Sequence, residues 1–84
     1  MSIYRYGLLY NHFMVVIWLY RRIRELREDN DLLQKDLAEY LKCSQVAYSR
    51  YELGQRDLPT EVLIALAKYY HTTTDYILGL TDKK

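Results

Sequence analysis

Beyond Tyr20 the apolar residues of this 84-residue chain recur three or four positions apart, and no run alternates with the period of two that a half-buried strand requires. That periodicity dictates helices. Three glycines and one proline are too few to interrupt it often. With half its residues apolar and 27% charged, the chain has the composition of a globular protein rather than a disordered tail. The length allows one core. The fold class expected is all-α, with a five-helix domain over 18–84 and a short apolar extension over 1–17.

Capping residues mark most of the boundaries. Helix 1 turns Ile23 and Leu26 inward and should end near Asn30 or Asp31, which tolerate a left-handed cap. Helix 2 runs from about Gln34 to Leu41, with Leu37, Ala38 and Leu41 on one face. A three-residue turn of Lys42, Cys43 and Ser44 follows, and Ser44 is a good N-cap. Helix 3 runs from about Gln45 to Leu53 and closes at Gly54. Pro59 opens helix 4, with Glu61 near its positive end and Leu63, Leu66, Ala67 and Tyr70 on one face. Thr73 caps a short helix 5 carrying Tyr76, Ile77 and Leu78, and Gly79 ends it.

The extension has a different character. Ile3 to Tyr6 and Phe13 to Leu19 have strand-type composition, with Gly7 and Asn11 between them, which suits a short hairpin or a single pairing strand. The rival is a backward extension of helix 1, because Val16, Leu19, Ile23 and Leu26 keep helical spacing. We expect strand before Val15 and helix after about Trp18. The uncharged stretch Tyr6 to Tyr20 is shorter than the roughly 20 apolar residues of a membrane span. It runs into Arg21 and Arg22 without the small residues of a signal cleavage site. Met14 offers a second translation start.

The net charge of +1 averages over a pattern that matters more. Residues 21–84 hold 11 basic and 11 acidic side chains, so any phosphate-binding face must gather the cations and leave the acids elsewhere. The single Cys43 cannot form an internal disulfide, which fits a reducing cytoplasm. His12 and His71 are too far apart in sequence to suggest metal ligation. No glycine-rich phosphate loop, paired-carboxylate site or Ser, His and Asp set is present. Neither an enzyme nor a cofactor or small-molecule ligand is expected.

Two short helices joined by a tight turn, the second exposing polar side chains, form a unit able to lay one helix into a major groove. Here Ala38 allows close approach of helices 2 and 3, and Leu37, Leu41, Cys43, Tyr48 and Tyr51 can share an apolar seam. Gln45, Val46, Ser49, Arg50 and Leu53 form a stripe pointing away from that seam. Gln can pair with adenine and Arg with guanine, and Val can touch a thymine methyl. Tyr48, Tyr51, Tyr69, Tyr70 and Tyr76 are read as packing residues, and Cys43 as a small core residue.

Arg22-Ile23-Arg24-Glu25-Leu26-Arg27-Glu28, Gln34-Lys35-Asp36-Leu37-Ala38, Ser49-Arg50-Tyr51-Glu52-Leu53-Gly54 and Asp75-Tyr76-Ile77-Leu78-Gly79 resemble the Cro and phage-repressor helix-turn-helix family over about residues 18–82. The resemblance implies a small bacterial, phage or mobile-element transcriptional regulator, a repressor acting in the cytoplasm. Its partner would be double-stranded DNA with a palindromic operator. It further implies that Gln45, Val46, Ser49 and Arg50 face bases. Gln34, Lys35, Gln55 and Arg56 would position the DNA backbone, and Arg27 and Glu52 would form a structural ion pair. Three positions depart from the family pattern. Leu33 replaces a capping threonine and Lys42 a turn glycine, while Leu53 replaces an asparagine that contacts phosphate. A homodimer is expected, joined in whole or part by residues 3–17, because one recognition helix reads too few base pairs to select a site. The alternative is a protein-interaction or antitoxin-like module that uses the same fold.

Overall fold

The computed structural model describes residues 12–84, with side chains from Leu19 onward. Five helices follow in order: α1 (His12–Asp29), α2 (Gln34–Leu41), α3 (Gln45–Glu52), α4 (Thr60–Tyr69) and α5 (Thr74–Ile77). No strand occurs among the described residues. Helix α1 begins at His12, six positions before the expected Trp18, so Phe13 and Met14 are helical rather than extended. The physical reason is cooperativity: no proline or glycine interrupts 12–29, and each residue added to an existing helix gains a hydrogen bond that outweighs the weak β-preference of Phe and Val. The remainder of the proposed strand or hairpin, residues 1–11, lies outside the described residues.

The other helix starts follow their caps. Ser44 Oγ accepts from Ala47 N–H at 3.0 Å, and Thr73 Oγ1 accepts from Tyr76 N–H at 3.0 Å. Leu33, at the N-cap of α2, has no oxygen to offer. Asp36 supplies the other half of a capping box instead, accepting from Leu33 N–H at 2.8 Å.

All five helix ends close in one way. A residue of positive φ follows each helix: Asp31, Lys42, Gly54, His71 and Gly79. It turns the chain so that the next N–H reaches back five residues, as in Leu32 to Arg27 O (3.0 Å), Cys43 to Ala38 O (2.9 Å) and Gln55 to Arg50 O (3.0 Å). The same bond joins Thr72 to Ala67 O and Leu80 to Asp75 O, both at 2.9 Å. These are Schellman closures, which satisfy carbonyls that a helix end would otherwise leave unpaired. Lys42 adopts the left-handed conformation (φ 58°, ψ 44°) that a glycine would take with less strain, a difference of about 1 kcal/mol.

The core joins Leu19, Ile23 and Leu26 of α1 to Leu37 and Ala38 of α2, Tyr48 and Tyr51 of α3, Leu66 and Ala67 of α4, and Ile77 of α5. Each helix contributes to it. The tyrosines pack as expected: Tyr48 and Tyr51 are buried edge to face at 6.4 Å, and half-buried Tyr69 meets Tyr40 at a tilt and Tyr70 edge to face. Helix α1 packs on both α3 and α5, holding the α2 and α3 pair in a fixed attitude.

Candidate nucleic-acid interface

Alanine at position 38 sets the approach of α2 and α3. Its small buried side chain, together with Leu37, receives the fully buried Tyr48, while half-buried Cys43 packs at the turn between the helices. With Tyr48 and Tyr51 committed to the core, the helical repeat turns the residues between them outward. Val46 and Arg50 are exposed, and Ser49 is half-buried.

These side chains line one shallow groove. Gln45, Val46, Ser49, Arg50 and Leu53 form its α3 side, joined by Gln34 from the start of α2 and Gln55 from the loop after α3. The lining has one cation, Arg50, and no carboxylate. Six of the eight residues expected to touch DNA therefore meet on a single surface. Lys35 and Arg56 do not line it. Lys35 is exposed in the first turn of α2, beside the groove residue Gln34. The exposed Arg56 holds its guanidinium 5.7 Å from the Tyr51 ring centroid, a cation–π contact that keeps it near the end of α3.

An ion pair fixes the groove from beneath. Arg27 Nε donates to Glu52 Oε2 at 2.7 Å and Arg27 Nη2 to Glu52 Oε1 at 3.1 Å, while Nη1 reaches Leu32 O at 3.0 Å. The Glu52 side chain is 3% exposed and that of Arg27 14%. One bidentate pair thus joins α1, the α1 to α2 turn and α3. Burial alone would raise the Glu52 pKa, but hydrogen bonds from Arg27 and Gln34, together with the nearby Tyr48 hydroxyl, outweigh it, so the value falls below the ordinary 4.5. The Tyr48 hydroxyl nears this carboxylate without a hydrogen bond of good geometry. Burial first, and Glu52 second, push its pKa far above the ordinary phenol value.

Gln34 has a second role that its sequence position does not reveal. Its Nε2 donates to Glu52 Oε1 at 3.2 Å, so the amide at the groove edge is held by the ion pair below it. One N–H remains for a partner in the groove. Leu53, the last residue of the outward stripe expected from the sequence, also belongs to this surface, although it stands where the family pattern has a phosphate-contacting asparagine. Its 63% exposure and its place in the groove lining make it a member. Its seven-residue offset from Val46 puts both on one helical stripe.

A family model described as helix-turn-helix matches residues 23–77, more than half of the chain and every helix from the middle of α1 to the end of α5. The chain belongs to the helix-turn-helix family, in its Cro and phage-repressor branch. Similar helix-turn-helix proteins occur in Bacillus subtilis (strain 168). The uncharacterized HTH-type transcriptional regulator YobD is 39% identical over 62 residues, covering 74% of this chain and 55% of YobD. The HTH-type transcriptional regulator ImmR is 38% identical over 59 residues, covering 70% of this chain and 46% of ImmR. A third, the uncharacterized HTH-type transcriptional regulator YqaE, is 30% identical over 63 residues, with 74% and 54% covered. The chain thus spans about half the length of the curated relatives it matches. No solved structure matches it significantly. Among the described residues, no helix is long and apolar enough to cross a membrane, and no group of His, Cys, Asp and Glu could hold a metal ion.

Proposed function

We propose that this protein binds duplex DNA as a small transcriptional regulator, a repressor, with α3 lying in the major groove. The observation that carries this reading is the convergence of Gln45, Val46, Ser49 and Arg50 with Gln34 and Gln55 on one carboxylate-free groove, on a fold of the helix-turn-helix family. Each side chain has a matching base edge or phosphate. Arg50 pairs with guanine O6 and N7, Gln45 with adenine N6 and N7, Ser49 bonds a base edge, and Val46 meets a thymine methyl. Gln34, Lys35, Gln55 and Arg56 position the phosphate backbone.

The protein acts as a homodimer on a palindromic operator, with residues 3–17 forming some or all of the contact. Two half-sites about 34 Å apart supply the selectivity that one α3 lacks. Repression follows by occupancy: a bound dimer excludes polymerase from DNA it covers. Its place of action is the cytoplasm of a bacterium, encoded by the host or by a phage or mobile element. The reading is tested by selecting bound sequences from a random duplex pool. A two-fold consensus with half-site centres one helical turn apart supports it, and a pool that gains no sequence preference overturns it.

A further inference from the structure

The groove is more apolar than the base-pairing side chains require. Val46 and Leu53 are 62% and 63% exposed, and both line it. Leu53 caps α3 while keeping right-handed helical dihedrals (φ −85°, ψ −4°), so it continues the register of the helix. Seven residues amount to almost two turns, which puts Leu53 within about 20° of Val46 around the axis and roughly 10 Å further along it. The pair therefore makes an apolar strip along the groove. Ser49 and Arg50, the groove-lining residues between them, are polar.

We propose that Leu53 is a further specificity-determining residue, and that Val46 and Leu53 together select two thymine methyl groups in each half-site. This rests on the DNA-binding reading above. The thymine C5-methyl is the apolar feature of the major-groove edge, and aliphatic side chains recognise it by contact. Because a helix that follows the groove turns with it, each base step takes up more than the axial 3.4 Å, and a 10 Å separation corresponds to about two to three base steps. An operator half-site thus carries thymines two or three base steps apart, on either side of the bases read by Ser49 and Arg50. Water excluded between an exposed leucine and a methyl group gives the contact its free energy, with no phosphate involved.

The test replaces thymine by deoxyuridine, which lacks only the methyl group, one position at a time in the duplex that selection yields. Wild-type protein should lose about fourfold in affinity at two positions two or three base steps apart, the equivalent of one buried methyl at about 0.8 kcal/mol. Val46→Ala should abolish the sensitivity at one position and Leu53→Ala at the other. Leu53→Met, which keeps an apolar reach, should retain it. Both residues are exposed, so circular dichroism should show unchanged helicity in all three variants. Binding that no deoxyuridine weakens overturns the thymine proposal and leaves the DNA-binding reading standing, as does sensitivity that persists in Leu53→Ala. Failure of any duplex to bind, as expected if the apolar strip docks a protein, overturns both.

Discussion

The ring of Tyr20 lies directly on Gly54: a β-carbon at position 54 would stand 2.7 Å from Tyr20 Cε2 and 2.9 Å from Cδ2. Gly54 also has φ 73°, which side chains with a β-carbon rarely adopt. Helix α1 thereby abuts the point where α3 turns into the loop carrying Gln55 and Arg56. Gly54→Ala should meet both obstacles and destabilise the fold by about 2 kcal/mol, lowering Tm by roughly 10 °C for a domain of this size. Tyr20→Leu should recover part of that loss in the double variant, and strictly additive melting shifts would show that the contact does not matter.

The Arg27 and Glu52 pair predicts a pH signature. Because the folded state holds the Glu52 pKa below its ordinary 4.5, the pair adds stability that is fully present above that value and lost as pH falls through the lower, folded value. Glu52→Gln should lower Tm markedly at pH 7, and the gap to wild type should narrow as both are titrated below pH 4.5. Glu52→Ala, which strands a largely buried guanidinium, should cost about 3 kcal/mol or more at neutral pH. A constant gap between Glu52→Gln and wild type from pH 7 to pH 3 would contradict the pairing.

Much of this was legible in the sequence, for reasons that particular residues make clear. Ser44, Thr73, Gly54 and Gly79 fix helix boundaries through local bonds and dihedrals, so α3 and α5 fall where their caps place them. The stripe from Gln45 to Arg50 follows from helical geometry once Tyr48 is inside. The start of α1 was misjudged because aromatic and β-branched residues favour strands only weakly, and helix propagation overrides them. The bond from Gln34 to Glu52 and the contact of Tyr20 with Gly54 depend on how α1, α2 and α3 pack. Such contacts join residues 18 and 34 positions apart and leave no local pattern.

Arg50→Ala should relax base preference at one operator position while leaving the fold intact, since the side chain is exposed. A good bidentate contact discriminates by about 1 to 3 kcal/mol, so preference there should fall by roughly fivefold to 150-fold. Selection repeated with the variant measures this position by position. A consensus identical to that of wild type removes Arg50 from base reading.

Arg56→Ala and Lys35→Ala should behave differently, weakening specific and nonspecific duplexes alike. Each should reduce the slope of log K against log salt by about one. Binding isotherms at four or more salt concentrations give that slope. A variant that alters preference at a single base pair and leaves the slope unchanged would place its side chain in the groove rather than on the backbone.

The association state follows from the proposed dimer. The 84-residue chain at tens of micromolar should sediment as a dimer, and a chain starting at Met14, which keeps nearly all of α1, should shift toward monomer with its helicity retained. An 84-residue chain that sediments as a monomer under these conditions rules out assembly through residues 3–17.

The central claim, that α3 reads duplex DNA, is tested most directly by comparing the affinity of wild-type protein for its selected duplex and for a scrambled duplex of equal composition between 50 and 200 mM salt. The account predicts that the selected duplex binds tighter by about a thousandfold or more, and that both affinities fall steeply as salt rises. Equal affinity for the two duplexes, or binding indifferent to salt, would contradict it.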